Sequence, residues 1–139
     1  MTYYISLASS AFLSATLLPG GSELLLLYGL EQHYPTLIIL TIASLFNTLG
    51  AITNLFIGRY AARLKPWQPS SKGQIKAYQL IQKYGIYSLL LSWAPIIGDA
   101  LCLAAGYLRL PYVASIILLF IAKTLRYSIV IATYYWLQT

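Results

Sequence analysis

The sequence predicts an all-α integral membrane protein built as an inverted repeat, in which each half is a re-entrant helical hairpin followed by a transmembrane helix. The chain has 139 residues, of which 59% are hydrophobic and only 9% are charged, a balance typical of a chain that lies in lipid. Pro19 and Glu23 recur as Pro95 and Asp99. We call the separation from Pro19 to Pro95 the repeat offset. Two related halves with interrupted apolar segments are the pattern of a transporter.

The repeat offset divides a single membrane domain, residues 1–139, into two repeats joined by a basic linker. We assign residues 1–58 to the first repeat, residues 59–83 to the linker and residues 84–139 to the second repeat. Six of the nine Lys and Arg residues fall in the linker. Because Lys and Arg gather on the cytoplasmic side of membrane proteins, the linker is predicted to be cytoplasmic. Nucleic-acid binding is not expected, since the linker is short and flanked by apolar helices.

The first hairpin is predicted from a break in an uncharged apolar run. A proline and two glycines interrupt helical hydrogen bonding there: Pro19, Gly20 and Gly21. Ser22 is predicted to cap a second helical piece that runs from Glu23 to about Leu30. That piece is roughly 12 Å long, against a hydrocarbon core of about 30 Å. We therefore predict a helix that enters the membrane, breaks and returns to the same side, an arrangement tolerated where protein surrounds it.

Residues 36–58 predict the first transmembrane helix, because they are 23 uncharged residues and can cross with some tilt. Small or polar residues at spacings of three and four line one of its faces: Asn47, Gly50, Asn54 and Gly58. This face has two interpretations. It is either a tight packing stripe against another helix or the lining of a polar path, in which Asn47 and Asn54 would contact a substrate.

The second half repeats this order after an amphipathic helix at about residues 73–84, which is expected to lie at the membrane interface. Residues 84–94 then predict the first arm of a second hairpin. Its break contains Pro95 and Gly98, and a short apolar helix follows the break. Residues 110–137 predict the final span, which ends in a group of aromatic residues suited to an interface.

The two repeated acids lie in strongly apolar stretches, where an ionisable group is costly and is therefore a functional candidate. If each half is a hairpin without net crossing followed by one crossing helix, the two halves are inverted. The hairpins then enter from opposite faces of the membrane. Glu23 and Asp99 are expected to lie close together at the repeat interface, where inverted-repeat carriers hold substrate. They are the predicted proton-coupling residues.

The repeat offset also aligns Asn47 with Lys123 and Gly50 with Arg126, so the second repeat carries two cations on one helical face. Two acids and two cations make a formally neutral set, as a low-dielectric site requires. Two interpretations stay open. The charges are purely structural ion pairs, with the acids capping the short helices. Alternatively, Lys123 and Arg126 bind an anionic head group, and protonation of an acid releases a cation to do so.

The chain is not predicted to be an enzyme. Its single histidine, His33, lies in a polar turn, and its single cysteine, Cys102, is expected to be a small core residue. No metal or cofactor is expected, because a metal site needs at least three convergent ligands. The predicted partner is a membrane lipid with an anionic head group. A homodimer is a further expectation, since two half-length hairpins and two spans leave much surface uncovered.

Short motifs along nearly the whole chain carry a family resemblance. They lie at residues 18–23, 58–60, 83–85, 92–99, 105–106 and 123–127. In combination they resemble the DedA superfamily (SNARE-associated or VTT-domain proteins), and more closely its short YqaA branch. The resemblance implies a multi-pass protein of the bacterial inner membrane, related to carriers of polyprenyl phosphate or phospholipid that often depend on the proton gradient. The hairpin acid of the family maps onto Glu23, and its Gly-Arg helix end maps onto Gly58 and Arg59, which adds Arg59 to the predicted substrate-binding residues.

One motif departs from the family pattern. Typical members carry Arg-Phe-x-Pro-x-x-Arg in the second hairpin, whereas residues 92–98 here read Ser-Trp-Ala-Pro-Ile-Ile-Gly. Both arginines are absent, and Lys123 and Arg126 are predicted to supply the cationic function instead. The leading prediction is therefore a proton-coupled transporter that moves an anionic lipid between leaflets. The alternative is a non-transporting membrane scaffold, or envelope-homeostasis protein, in which the buried charges are structural.

Overall fold

A computed structural model of the chain describes residues 1–16, 21–64, 72–94 and 97–139. These residues are helical and contain no strand, so the predicted all-α class is confirmed for them. The α-helices are α1 (Thr2–Thr16), α2 (Gly21–Glu31), α3 (Thr36–Leu64), α4 (Lys72–Tyr84), α5 (Ile97–Tyr107) and α6 (Tyr112–Gln138), and a 3₁₀ helix (Gly85–Trp93) lies between α4 and α5. Three of the predicted break residues lie outside the described residues: Pro19, Gly20 and Pro95.

Helices α3 and α6 are long and apolar enough to cross a membrane. They contain 29 and 27 residues, which is roughly 40 Å or more at 1.5 Å per residue. Both expose large apolar side chains, among them Phe46, Phe56, Ile117 and Phe120, as helices that face lipid do. The predicted spans at residues 36–58 and 110–137 correspond to these helices, and α3 continues through Leu64 into the predicted linker.

Contacts at both ends show that α3 and α6 run in opposite directions. At one end, the hydroxyls of Thr36 and Tyr135 share a hydrogen bond of 2.9 Å. At the other end, the guanidinium of Arg59 lies 3.9 Å from the ring centroid of Tyr112. The start of each helix therefore lies beside the end of the other.

The repeat offset recurs in the backbone. Helices α2 and α5 both have 11 residues. The same offset separates the first residue of α2 from that of α5, and the first residue of α3 from that of α6. The turn after α2 places His33 at a φ of 61°, and the turn after α5 places Arg109 at a φ of 57°. A left-handed conformation at a non-glycine residue is uncommon, so its appearance at equivalent positions shows that the two halves share their turn geometry.

Helices α1 and α2 lie against each other in opposite directions. Near the start of α1, the hydroxyl of Tyr3 donates to the carbonyl of Leu25, at 2.8 Å, and its ring stacks on Tyr34 at a centroid distance of 4.4 Å. Near the other end of α1, the hydroxyls of Ser14 and Ser22 share a hydrogen bond of 3.0 Å. The start of α1 and the end of α2 therefore lie at the same end of the molecule.

The corresponding arm of the second half is a 3₁₀ helix, which the sequence does not predict. It packs against α6 and α5, and Gly98 of α5 lies so close to the backbone of Ser92 that a side chain there would clash. Gly58 and Gly106 permit a similar backbone approach between α3 and α5. Cys102 is fully buried in this part of the core, as predicted.

Helix α4 matches the amphipathic helix predicted at residues 73–84. It buries Ala77 and Ile81 against the core, and Lys72, Lys76 and Lys83 are exposed. The helix therefore attaches to α5 through one face and presents cations on the other.

Candidate functional site

The candidate site is built around two cations on α6. Lys123 and Arg126 are separated by one helical turn, which places their side chains on one face of the helix. Lys123 is only 1% exposed, and its Nζ donates to the carbonyl of Ser92 at 3.2 Å. An ammonium group has three donor hydrogens, and among the described residues this contact occupies one of them.

Arg126 reaches from the second half to the first. Its Nε donates to Oε1 of Glu23 at 2.6 Å, and its Nη2 lies 2.5 Å from the same oxygen. The side chain of Arg126 is 14% exposed and that of Glu23 is 31% exposed, so the pair is partly shielded from solvent. Glu23 lies in the first turn of α2, where the helix dipole also favours a carboxylate. The pair therefore stabilises the contact between α2 and α6.

Asp99 occupies the equivalent place in the first turn of α5. It lies within electrostatic range of both Lys123 and Arg126. Within the part of the chain that the structure describes, it makes no ion pair within 4 Å. The structure thus gathers the four predicted charges around one face of α6, and it joins one of the two acids directly to a cation.

A buried chain of hydroxyl groups lies beside the Glu23–Arg126 pair. The Tyr127 hydroxyl and Ser22 Oγ share a hydrogen bond of 2.7 Å, and Ser22 Oγ shares another with Ser14 Oγ. Asn47 Nδ2 extends the chain by donating to Ser14 Oγ at 3.1 Å. This network joins α1, α2, α3 and α6, and the sequence analysis missed it. The presence of Ser and Tyr hydroxyls within apolar segments was the feature of the sequence that could have predicted this network.

Ser22 does not act as the predicted helix cap. It is the second residue of α2, and its hydroxyl bonds to Ser14 and Tyr127 rather than to a backbone amide at the helix start. The prediction was wrong because the cap pattern considers only local backbone donors. Side-chain partners on two other helices, α1 and α6, satisfy the hydroxyl instead.

The polar face of α3 is a packing face in this structure. Asn47 Nδ2 donates to the carbonyl of Ala11 at 2.9 Å, and Asn54 Nδ2 donates to the carbonyl of Ala15 at 2.7 Å. Gly50, between them, lies close to the carbonyl of Phe12. Both amides thus attach α3 to α1, which favours the packing interpretation over the lining of an open path.

Arg59 lies apart from the other predicted substrate-binding residues. Its guanidinium packs on Tyr112, the first residue of α6, whereas Lys123 is about three helical turns, or roughly 16 Å, further along that helix. Of the predicted break residues that the structure describes, Gly21 is the first residue of α2 and Gly98 is the second residue of α5. Both lie within helices, and Gly98 serves the close approach to Ser92.

Several buried polar atoms have no hydrogen-bond partner among the described residues. They are Ser44 Oγ, Asn47 Oδ1, Ser92 Oγ and Thr124 Oγ1. A buried polar group without a partner costs about 1–3 kcal/mol, and one of these groups, Ser92 Oγ, belongs to the residue whose carbonyl accepts from Lys123. Within the described ranges, no group of three or more His, Cys, Asp or Glu side chains converges on a metal position.

Two membrane-length helices, shorter helices packed against them and charges held in the interior are typical of an all-helical membrane protein. Comparison with curated proteins gives its family. The chain is 44% identical over 129 residues to inner membrane protein YqaA of Escherichia coli (strain K12), a match that covers 91% of this chain and 87% of the relative. A Shigella flexneri protein of the same name matches to the same extent. An uncharacterized protein of Haemophilus influenzae is 38% identical over 126 residues, which cover 85% and 78% of the two chains.

The chain therefore belongs to the YqaA family of inner membrane proteins, and the resemblance to that branch is confirmed. No family model matches the chain. No solved structure matches it either.

Proposed function

We propose that the chain is an inner-membrane transporter that moves an anionic lipid, a polyprenyl phosphate or a phospholipid, between leaflets with proton coupling. One observation carries the proposal: among the described residues, the buried ammonium of Lys123 has a single backbone carbonyl as its hydrogen-bond partner. A cation that is removed from water requires compensation. The phosphate of a lipid supplies both a negative charge and several acceptor oxygens. The proposal assigns the chain no enzymatic activity and no cofactor.

The proposed topology is a multi-pass inverted repeat with two re-entrant hairpins. Helices α2 and α5 have 11 residues each, or roughly 16 Å, and are too short to cross a hydrocarbon core of about 30 Å. The contact of Tyr3 with Leu25 supports a first hairpin that returns to its side of entry. The opposite directions of α3 and α6 support an inversion between the halves.

In the proposed mechanism, Arg126 changes partner. With Glu23 ionised, the guanidinium is held by the carboxylate. A proton that binds to Glu23 removes the negative charge, and Arg126 is then available to donate its paired N–H groups to a phosphate. Asp99 balances the two cations from the second half. Release of the proton on the opposite side of the membrane restores the ion pair between Glu23 and Arg126 and displaces the lipid.

The test is a translocation assay in vesicles that contain the purified protein and a fluorescent phosphatidylglycerol, with an imposed pH gradient. We expect Arg126→Ala to abolish the protein-dependent movement of the probe between leaflets. Lys76→Ala is the matched control, because it removes one cation from the exposed face of α4. If Arg126→Ala folds poorly, the double variant Glu23→Gln with Arg126→Gln is assayed instead, because it leaves neither partner of the ion pair as an isolated charge. Unchanged translocation in these variants would contradict the phosphate role of Arg126.

The second candidate function is a non-transporting scaffold, or envelope-homeostasis protein, in which the charges only hold the halves together. The contact between Glu23 and Arg126 favours it, because the pair connects α2 to α6 directly. The scaffold hypothesis predicts that Glu23→Gln lowers the folded yield in detergent. It also predicts that well-folded wild-type protein moves no lipid, which separates it from the transporter.

A further inference from the structure

A pocket of about 270 Å³ lies at the end of α3, far along the molecule from Lys123. Two arginines and three aromatic residues line it: Phe56, Arg59, Tyr60, Arg63 and Tyr112. We call it the Arg59 pocket. It brings the last turns of α3 together with the first residue of α6, so it lies where the two halves of the chain meet.

The pocket holds the guanidinium of Arg59 in a fixed place. The group lies 3.9 Å from the ring centroid of Tyr112, a cation–π contact that uses the flat face of the guanidinium. The N–H donors of arginine point outwards in the plane of the group. Packing on the tyrosine therefore positions Arg59 without consuming the hydrogen bonds that recognise an oxyanion.

The chain has too few acids to neutralise this pocket. It contains three acids and nine Lys and Arg residues. Glu23 is paired with Arg126, Asp99 is near the α6 cations, and Glu31 ends α2, beside the other end of α3. No acid of the chain is therefore available to Arg59 or Arg63, so both guanidinium groups are open to an oxyanion from another molecule.

The depth of the pocket indicates the source of that charge. Arg59 follows directly on the 23 uncharged residues 36–58 of α3, a length that fills the hydrocarbon core. The pocket thus lies at the level of the lipid head groups, where tyrosine side chains also accumulate. Phospholipid phosphates lie at this depth, and an anionic lipid supplies one that no cation of its own head group compensates.

We infer that the Arg59 pocket binds the phosphate of an anionic phospholipid from the adjacent leaflet, with Arg59 and Arg63 donating to its oxygens and Tyr112 holding Arg59 in position. The site is separate from Lys123 and Arg126 and does not depend on lipid transport. A lipid held there bridges the end of α3 and the start of α6, and it supplies the charge that the chain lacks.

The experiment measures lipid retained by the purified protein in native mass spectrometry, from micelles doped equally with phosphatidylglycerol and phosphatidylcholine. We expect the wild-type protein to retain phosphatidylglycerol preferentially. The double variant Arg59→Gln with Arg63→Gln is expected to reduce that retention about tenfold, since it removes two charge-assisted donors. Arg63→Gln alone is expected to give a smaller loss and guards against misfolding of the double variant.

The matched control is Lys72→Gln with Lys76→Gln, which removes the same charge from the exposed face of α4 and is expected to change retention less than about twofold. The loss caused by the Arg59 and Arg63 substitutions is expected to be the same in an Arg126→Ala background, so a failure of the transport proposal is distinguishable from a failure here. Equal losses in the arginine and lysine pairs would overturn the inference, as would undiminished retention in a folded arginine variant.

Discussion

The two halves of the chain place different groups at one equivalent position of their long helices. Asn47 in α3 and Lys123 in α6 are related by the repeat offset, and each donates to a backbone carbonyl of the first helix in its own half. The acceptor is Ala11 at 2.9 Å in the first half and Ser92 at 3.2 Å in the second. Both side chains therefore attach the long helix to the first helix of its own half. Of the two, only Lys123 brings a charge into the interior.

The next turn of each helix extends the difference. Gly50 lets α1 approach α3 closely, because the carbonyl of Phe12 lies where a side chain at this position would begin. The equivalent residue in α6 is Arg126, which reaches Glu23 in the other half instead. The first half therefore uses this face for packing within itself, and the second half uses it to contact its counterpart.

Both halves leave buried polar atoms without a hydrogen-bond partner among the described residues. Ser44 Oγ and Asn47 Oδ1 lie in the first half, and Ser92 Oγ and Thr124 Oγ1 lie in the second. The halves differ instead in charge, because the second buries the ammonium of Lys123 with one carbonyl acceptor. The comparison indicates that the second half holds the charged group available to a ligand.

The largest effect is expected from breaking the contact between the halves. Glu23→Gln leaves Arg126 without its counter-charge, and we expect the free energy of unfolding in detergent to fall by about 3 kcal/mol. Adding Arg126→Gln removes the isolated charge and should restore much of the loss. A double-mutant cycle from denaturant titrations measures the coupling. A double variant as unstable as the sum of the single variants would show that the pair contributes no coupling between the halves.

A smaller effect is expected from a change confined to the first half. Gly50→Ala places a methyl group against the backbone of α1 and should lower the free energy of unfolding by about 1–3 kcal/mol. Gly21→Ala is the matched control, because among the described residues its new methyl group meets the Ser10 hydroxyl, at 3.3 Å, and no backbone atom. Equal losses in the two variants would mean that the close packing of α1 on α3 is not what Gly50 provides.

The smallest effect on stability is expected when α6 receives, at Lys123, the residue that α3 has at the equivalent position, Asn47. Lys123→Asn places a shorter side chain there and gives up the bond to the Ser92 carbonyl, so the free energy of unfolding should change by about 1 kcal/mol, the size of one hydrogen bond between membrane helices. It removes the buried charge, so lipid translocation in vesicles should be lost while the fold persists. Asn47→Ala serves as the control: it weakens the packing on α1 and should leave translocation measurable. Transport at the wild-type rate in Lys123→Asn would reject the functional difference between the halves.

Much of the architecture could be predicted from the sequence because its signals are regular. Pro19 and Pro95 define the repeat offset, and helix boundaries and left-handed turns then follow it, at His33 and Arg109 among others. Apolar length predicted α3 and α6. The set of buried charges was also visible, because ionisable residues are rare in apolar stretches.

The remaining features depend on contacts between helices that are distant in the sequence. The sequence does not distinguish the 3₁₀ helix from α1, because the i→i+3 geometry of residues 85–93 arises against α5 and α6. The amides of Asn47 and Asn54 were as compatible with a path as with packing until α1 provided their acceptors. Ser22 resembled a cap for a similar reason, since its true partners are distant in sequence.

The opposed pair of α3 and α6 is fastened at both ends, by Thr36 with Tyr135 and by Arg59 with Tyr112. A slide of one helix past the other by a single turn, about 5.4 Å, would separate both contacts at once. The two contacts together therefore lock the axial register of α3 against α6. Any rearrangement that keeps both of them must leave that register unchanged.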